Sequence, residues 1–237
     1  MKIFTYYENI NFNLQSPLLK LWEKSWEKQG FDTTILTPRD ARESPYYYGF
    51  LKKIRRIHKN ITGYDISQYG MSCYVRWLAY ATLKHTEPFL VSDYDVINKG
   101  FTAEDVKESE EKINFLDRYC PCLAYGTSLQ FLDFCKDIIT FSDQNLETLK
   151  KEYTGKENGC YHDQEFLVLN HKLGNYNICP ARSYVRLYEY KNPQIQKHSL
   201  FHIAHRSVEE TRLKFPEFEN LNAEHLRIKL IIELLND

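Results

Sequence analysis

Long apolar runs are missing from this chain of 237 residues. No stretch approaches the roughly 20 apolar residues that a bilayer-spanning helix needs, so no transmembrane segment is expected. The opening Met1-Lys2-Ile3-Phe4-Thr5-Tyr6-Tyr7-Glu8 is too short an apolar run for a secretory leader and meets Glu8 too soon. It reads as a strand, and the chain as a cytoplasmic one. An excess of one charge is missing too. The 31 Lys and Arg against 32 Asp and Glu leave −1, which provides no global field to draw the chain onto nucleic acid. The basic run Lys52-Lys53-Ile54-Arg55-Arg56-Ile57-His58-Lys59 is a local exception that reads as the solvated face of a helix. Metal-spaced cysteine pairs are also absent. The six cysteines, at 73, 120, 122, 135, 160 and 179, contain no Cys-x-x-Cys, and Cys120-Pro121-Cys122 has the wrong spacing for a zinc knuckle. Reduced core thiols are expected. There is no internal repeat and no low-complexity segment.

The length suits a single α/β domain spanning residues 1–237, with a nucleotide half over about 1–100 and an acceptor half after it. Lys2 to Tyr6 predicts a first strand. Ser16 at an N-cap, Pro17 at the first helical position, the Leu18, Trp22 and Trp26 stripe and the closing Gly30 predict a first helix. Phe31 to Leu36 completes a βαβ start, which implies a parallel sheet with a right-handed crossover. Asp40 to Lys59 reads as helical with a break near Ser44-Pro45, Gly63 and Gly70 as brackets of a loop, and Ser72 to Lys84 as a helix burying Tyr74, Trp77, Leu78 and Ala81. Short strands are expected at Ile113 to Leu116 and Cys122 to Tyr125, then a helix capped by Ser128 and carrying Leu129, Leu132, Cys135, Ile138 and Ile139. The Lys- and Glu-rich Ser142 to Gly159 reads as a mobile surface loop. A helix from Asp163 to Lys172, a strand from Leu200 to Ala204 and a terminal helix opened by Asn222 follow.

The chemistry concentrates at Phe89-Leu90-Val91-Ser92-Asp93-Tyr94-Asp95-Val96-Ile97. The apolar triplet has the pattern of a strand buried on both faces, and the carboxylates stand at its C-terminal end, the edge where open α/β sheets bind ligands. Two aspartates so close repel each other unless a positive charge sits between them. A hard cation with oxygen ligands, Mg²⁺ or Mn²⁺, satisfies that need and keeps open positions for phosphate oxygens. Arg76, offset from the apolar stripe of the preceding helix, is placed to reach the same crevice and pair there with a phosphate or an acidic group.

These pieces resemble the GT-A-fold glycosyltransferases, and more loosely their small viral and bacterial nucleotide-sugar transferases. The resemblance rests on four features in order: the strand end Phe4-Thr5-Tyr6-Tyr7, Arg76 on the helix before the motif, Ser92-Asp93-Tyr94-Asp95 itself, and Asp163-Gln164-Glu165-Phe166-Leu167 followed by Phe201-His202-Ile203-Ala204-His205. It implies a Rossmann-like fold with a central, mostly parallel mixed sheet flanked by helices. It also implies metal-dependent transfer of a sugar from a nucleotide-sugar, a UDP-sugar, to a glycan or glycoprotein hydroxyl, with retention. In this reading Thr5, Tyr6, Tyr7, Arg76, Asp93 and Tyr94 bind the donor, and Asp93, Asp95 and His202 hold the metal. Asp163 either deprotonates the acceptor or orients it from a helix N-terminus. His162 and His205 are lesser candidates. In a host cell the location would be its cytoplasm.

Two rivals remain. A dehalogenase-type phosphohydrolase also carries Asp-x-Asp, but on its first strand, with Thr or Val where Ile97 stands, and with a downstream Gly-Asp dipeptide that occurs nowhere here. The other is a sugar-nucleotide-binding or interaction protein without turnover.

Overall fold

The computed structural model describes residues 1–10, 16–106, 112–116, 120–155, 161–173, 176, 184–186 and 198–236. Strand β1 (Lys2–Tyr6) leads to helix α1 (Ser16–Glu27), strand β2 (Asp32–Leu36), and helices α2 (Pro38–Arg42), α3 (Tyr47–Thr62) and α4 (Gln68–Thr82). Strands β3 (Phe89–Ser92), β4 (Val96–Asn98), β5 (Asn114–Phe115) and β6 (Leu123–Gly126) follow, then helices α5 (Ser128–Gln144), α6 (Leu146–Tyr153) and α7 (Asp163–Lys172). Strands β7 (Tyr184–Arg186) and β8 (Leu200–His202) and helices α8 (His205–Lys214) and α9 (Ala223–Asn236) complete the described chain.

The main sheet has the order β2-β1-β3-β6-β5. The first three strands are parallel, as the βαβ start requires, while β6 runs antiparallel to both β3 and β5, so one strand of this sheet opposes the rest. Side chains alternate between two cores. Ile3 and Leu90 face α1 and α9 together with Leu18, Trp22, Trp26, Leu226, Leu230 and Ile231, all essentially dry. Phe4, Tyr6, Phe89 and Val91 face the opposite side, where Ile54, Tyr74, Trp77, Phe131, Phe134 and Phe166 pack. Alternation into two apolar layers is why these short strands carry almost no polar residue. A small second sheet, β4-β8-β7, stands beyond the end of β3, with β4 antiparallel to β8 and β8 parallel to β7.

Three expectations are corrected. Gly70 is not a loop boundary but lies in the first turn of α4. Ser67 caps that helix, its Oγ accepting from Gly70 N at 3.0 Å, and a Cβ on Gly70 would come within 3.0 Å of Ile66 Cγ1. The glycine is there for close packing. The cap of α5 is Thr127 rather than Ser128: its Oγ1 accepts from Gln130 N, Gln130 Oε1 accepts from Thr127 N, and Leu129 is exposed. The described part of Ser142 to Gly159, up to Gly155, is largely helical. α5 runs on to Gln144 and α6 follows, burying Leu149 with Leu146 and Tyr153 beside it against Ile57 and Ile61. The Lys and Glu residues that suggest a loop are the wet face of an amphipathic helix; residues 156–160 lie outside the described residues.

The basic run falls on α3, where Ile54 and Ile57 are buried and Lys52, Lys53, Arg55, Arg56 and Lys59 are exposed, with Arg56 held by Asp143 at 2.9 Å. Cys73, Cys120, Cys122 and Cys135 are not in disulfides. Cys160 and Cys179 lie outside the described residues.

Candidate functional site

The site grows from the end of β3. Asp93 N donates to Cys122 O at 2.7 Å, extending the β3–β6 pairing by one residue, and Val96 N donates to Asp93 O at 3.0 Å, closing a tight turn that presents Asp93, Tyr94 and Asp95. Helix α1 holds both ends of this turn. Trp22 Nε1 donates to Ser92 Oγ at 2.8 Å and Trp26 Nε1 to Val96 O at 3.0 Å, while Ser25 Oγ accepts from Asn98 N at 3.2 Å. The Trp22 and Trp26 spacing marks a buried helix face in the sequence, but nothing in it marks these indoles as clamps on the acidic turn.

Strand β8 brings the histidine. Val96 pairs with His202, and Ile203 N donates to Asp95 O at 2.8 Å, so this register sets the imidazole beside the second aspartate. His202 Nε2 lies 3.4 Å from Asp95 Oδ1. The ligand atoms of Asp93, Asp95 and His202 all fall within 4.8 Å of one another. Apart from its ion pair with His202, the buried Asp95 Oδ1 meets no donor with hydrogen-bond geometry among the described residues. A buried carboxylate oxygen left in that state is costly, and a cation beside it removes the cost. The donor set, two carboxylates and one imidazole, suits Mn²⁺ or Mg²⁺.

From Asp93 the charges continue into the second core. The Arg76 guanidinium bridges two carboxylates, donating to Asp93 Oδ1 through Nη1 and to Asp163 Oδ2 through Nε at 3.1 Å and Nη2 at 2.5 Å. Asp163 opens α7 at 1% exposure, where Trp77 Nε1 also donates to Oδ2 at 2.7 Å and His162 Nδ1 stands 3.4 Å from Oδ1. Burial alone would raise the Asp163 carboxyl, but Arg76 and the His162 hydrogen bond outweigh it and hold it at about 2. Burial and the Asp95 charge push Asp93 up to about 6 against the pull of Arg76. Burial opposes the charge on Asp95 as well, yet His202 keeps that carboxyl at about 2, and Asp95 in turn lifts His202 to about 10 against desolvation. Two adjacent aspartates thus sit in unequal fields, Asp95 held ionised more firmly than Asp93. A bound metal would displace the His202 proton, because only neutral imidazole ligates.

The predicted donor residues divide. Tyr7 and Tyr94 meet edge to face at 5.7 Å between ring centroids and an interplanar angle of 89°, directly joining the end of β1 to the acidic turn. Thr5 is fully buried, and its Oγ1 has no hydrogen-bond partner among the described residues. Tyr6 points to the other face of the sheet, donates to Glu8 Oε2 at 3.3 Å and lines a cleft of about 320 Å³ with Arg42, Arg55, Ser67 and Gln68. His205 is the first residue of α8, not a strand residue. His162 precedes Asp163 as the N-cap of α7, with Nδ1 also 2.9 Å from Glu165 Oε2.

No protein family matches the sequence, and no curated protein matches it. Solved structures do. The galactosyltransferase LgtC, in complex with donor and acceptor sugar analogues, superposes with a TM-score of 0.53 at 11% identity, over 98% of this chain and 96% of that one. The glycosyltransferase GlyE of Streptococcus pneumoniae TIGR4 gives a TM-score of 0.50 at 12% identity over 99% of this chain. The chain spans 64% of the length of GlyE. These likenesses define the class of fold: the chain has the GT-A architecture, a mixed sheet flanked by helices.

Proposed function

We propose that the protein is a metal-dependent glycosyltransferase that moves a sugar from a UDP-sugar to a hydroxyl of a glycan or glycoprotein acceptor, with retention. The observation that carries this reading is the convergence of Asp93, Asp95 and His202 at the end of β3, where the buried Asp95 Oδ1 faces His202 Nε2 at 3.4 Å and takes no hydrogen bond of good geometry among the described residues.

Asp93, Asp95 and His202 would hold Mn²⁺ or Mg²⁺. As the glycosidic bond breaks, charge grows on the β-phosphate of the leaving nucleoside diphosphate, and a divalent ion supplies Lewis-acid stabilisation there. The chain's own groups prepare the site. Arg76 fixes the Asp93 carboxylate and supplies the positive charge that keeps it ionised against burial. The Tyr7–Tyr94 pair offers an aromatic edge for the base. Asp163 takes an orienting role, by holding Arg76, rather than that of a base. Its support is that Asp163 is almost wholly buried and that Arg76, Trp77 and His162 already engage its carboxylate, so it has no exposed oxygen with which to take an acceptor proton. The unavailability of Asp163 as a base fits retention.

Calorimetric titration of UDP, GDP and CDP with Mn²⁺, repeated with EDTA and on Asp95→Ala, tests the reading. The expected result is UDP binding with Mn²⁺, weakened about tenfold or more by EDTA and by the substitution. Absence of nucleotide binding under every condition would overturn it and leave an interaction protein without turnover. The anomer of a product, read by NMR, decides retention.

A further inference from the structure

His202 belongs to a second group of ligands. The Sγ atoms of Cys120 and Cys122 and a ring nitrogen of His202 all lie within 4.8 Å of one another. The topology explains the proximity. Cys122 stands opposite Asp93 in the extended β3–β6 pairing, its carbonyl accepting from Asp93 N at 2.7 Å, and directly opposed residues of an antiparallel pair share a face. Cys120, two residues earlier, is brought to the same place by the turn through Pro121 and Cys122 that leads into β6. The thiols that the sequence presents as core fillers are thus delivered to the rim of the acidic turn. Cys122 is 1% exposed and Cys120 partly exposed, so the group is dry on one side and open on the other.

We propose that Cys120, Cys122 and His202 form a binding site for a soft divalent cation, Zn²⁺ foremost, which shares His202 with Asp93 and Asp95 and so excludes the hard cation. The chemistry of the ligands separates the two sets. Two thiolates and an imidazole favour a soft or borderline ion, whereas two carboxylates with the same imidazole favour Mn²⁺ or Mg²⁺. Tetrahedral zinc with sulfurs at about 2.3 Å places those sulfurs about 3.8 Å apart, and the ligand atoms here lie within 4.8 Å of one another. Three protein ligands leave the fourth position to water. Because one imidazole serves both sets, an ion on the thiolates takes the third ligand from the carboxylates. This exclusion rests on the proposed hard-cation role of Asp93, Asp95 and His202; the thiolate site itself does not.

Co²⁺ is the probe, since thiolate coordination gives an intense charge-transfer band that carboxylate and imidazole ligands do not. One equivalent of Co²⁺ should produce the band in the wild-type protein and in Asp95→Asn, and the band should be lost in Cys120→Ser and in the Cys120→Ser/Cys122→Ser double variant. Cys120 is the more exposed thiol, so its single variant keeps the fold, which circular dichroism checks. One equivalent of Zn²⁺ should then weaken Mn²⁺ binding at least tenfold in the wild type and leave it unchanged in Cys120→Ser. No band, or a band that survives Cys120→Ser, overturns the thiolate site. Mn²⁺ binding unaffected by Zn²⁺ overturns the exclusion. A protein that binds neither Mn²⁺ nor nucleotide loses the exclusion along with the proposed function, while the Co²⁺ band still decides the thiolate site.

Discussion

Asp163 and Asp93 are both bound by Arg76, yet they occupy different environments. The Asp163 side chain is 2% exposed and that of Asp93 is 26% exposed. Removing one member of a buried ion pair leaves an uncompensated charge, which costs about 3–5 kcal/mol. Asp163→Asn keeps the shape but strips Arg76, Trp77 Nε1 and His162 of their shared anion. Its unfolding free energy in urea should fall by about 3 kcal/mol or more. Asp93→Asn should cost clearly less, because water already reaches that carboxylate and Arg76 keeps Asp163. A larger loss from Asp93→Asn than from Asp163→Asn would contradict this ordering.

At the scale of the element, the N-terminus of α7 joins the ion-pair chain through its cap. His162 Nδ1 lies 2.9 Å from Glu165 Oε2, a contact that favours the imidazolium. Desolvation would lower its pKa, but the hydrogen bonds to Asp163 and Glu165 raise it to about 10. A folded-state pKa above the unfolded value near 6.5 means that the stability this group contributes is fully present below about pH 6.5 and is lost as pH rises to about 10. Stability measured by urea unfolding should therefore decline between those values, and His162→Gln should flatten the decline. An unchanged slope in the variant would assign the decline to other groups.

For the whole molecule, the acidic turn and the second sheet stand on the core that α1 shares with α9. Val96, Ile97 and Phe201 belong to the same cluster as Trp22, Trp26, Leu226, Leu230 and Ile231. Leu230 is fully buried there, so Leu230→Ala should lower unfolding stability by about 2–5 kcal/mol. Its Mn²⁺ titration under native conditions should match the wild type, since the side chain lies within the core and not among the ligand atoms. A weakened Mn²⁺ titration in the folded variant would show that this packing also sets the site's geometry.

The readability of the chain followed how local each signal is. Apolar strands flanked by capped, amphipathic helices are encoded residue by residue, so β1, α1, β2, α4, β3, α7 and α9 were legible within a few positions, and the Asp93-Tyr94-Asp95 turn with them. The amphipathic α6 was not, because a short helix with one buried leucine differs little from a polar loop until α3 supplies the surface it packs on. Convergence was the other gap. The sequence alone determined the α/β alternation, the strand that ends in paired carboxylates and the helix that carries Arg76. Only the tertiary structure decided that Trp22 and Trp26 clamp the acidic turn, that Arg76 bridges Asp93 and Asp163, and that Cys120 and Cys122 stand beside His202. Each of these depends on strand order and register between segments distant in the chain, which local propensity does not report.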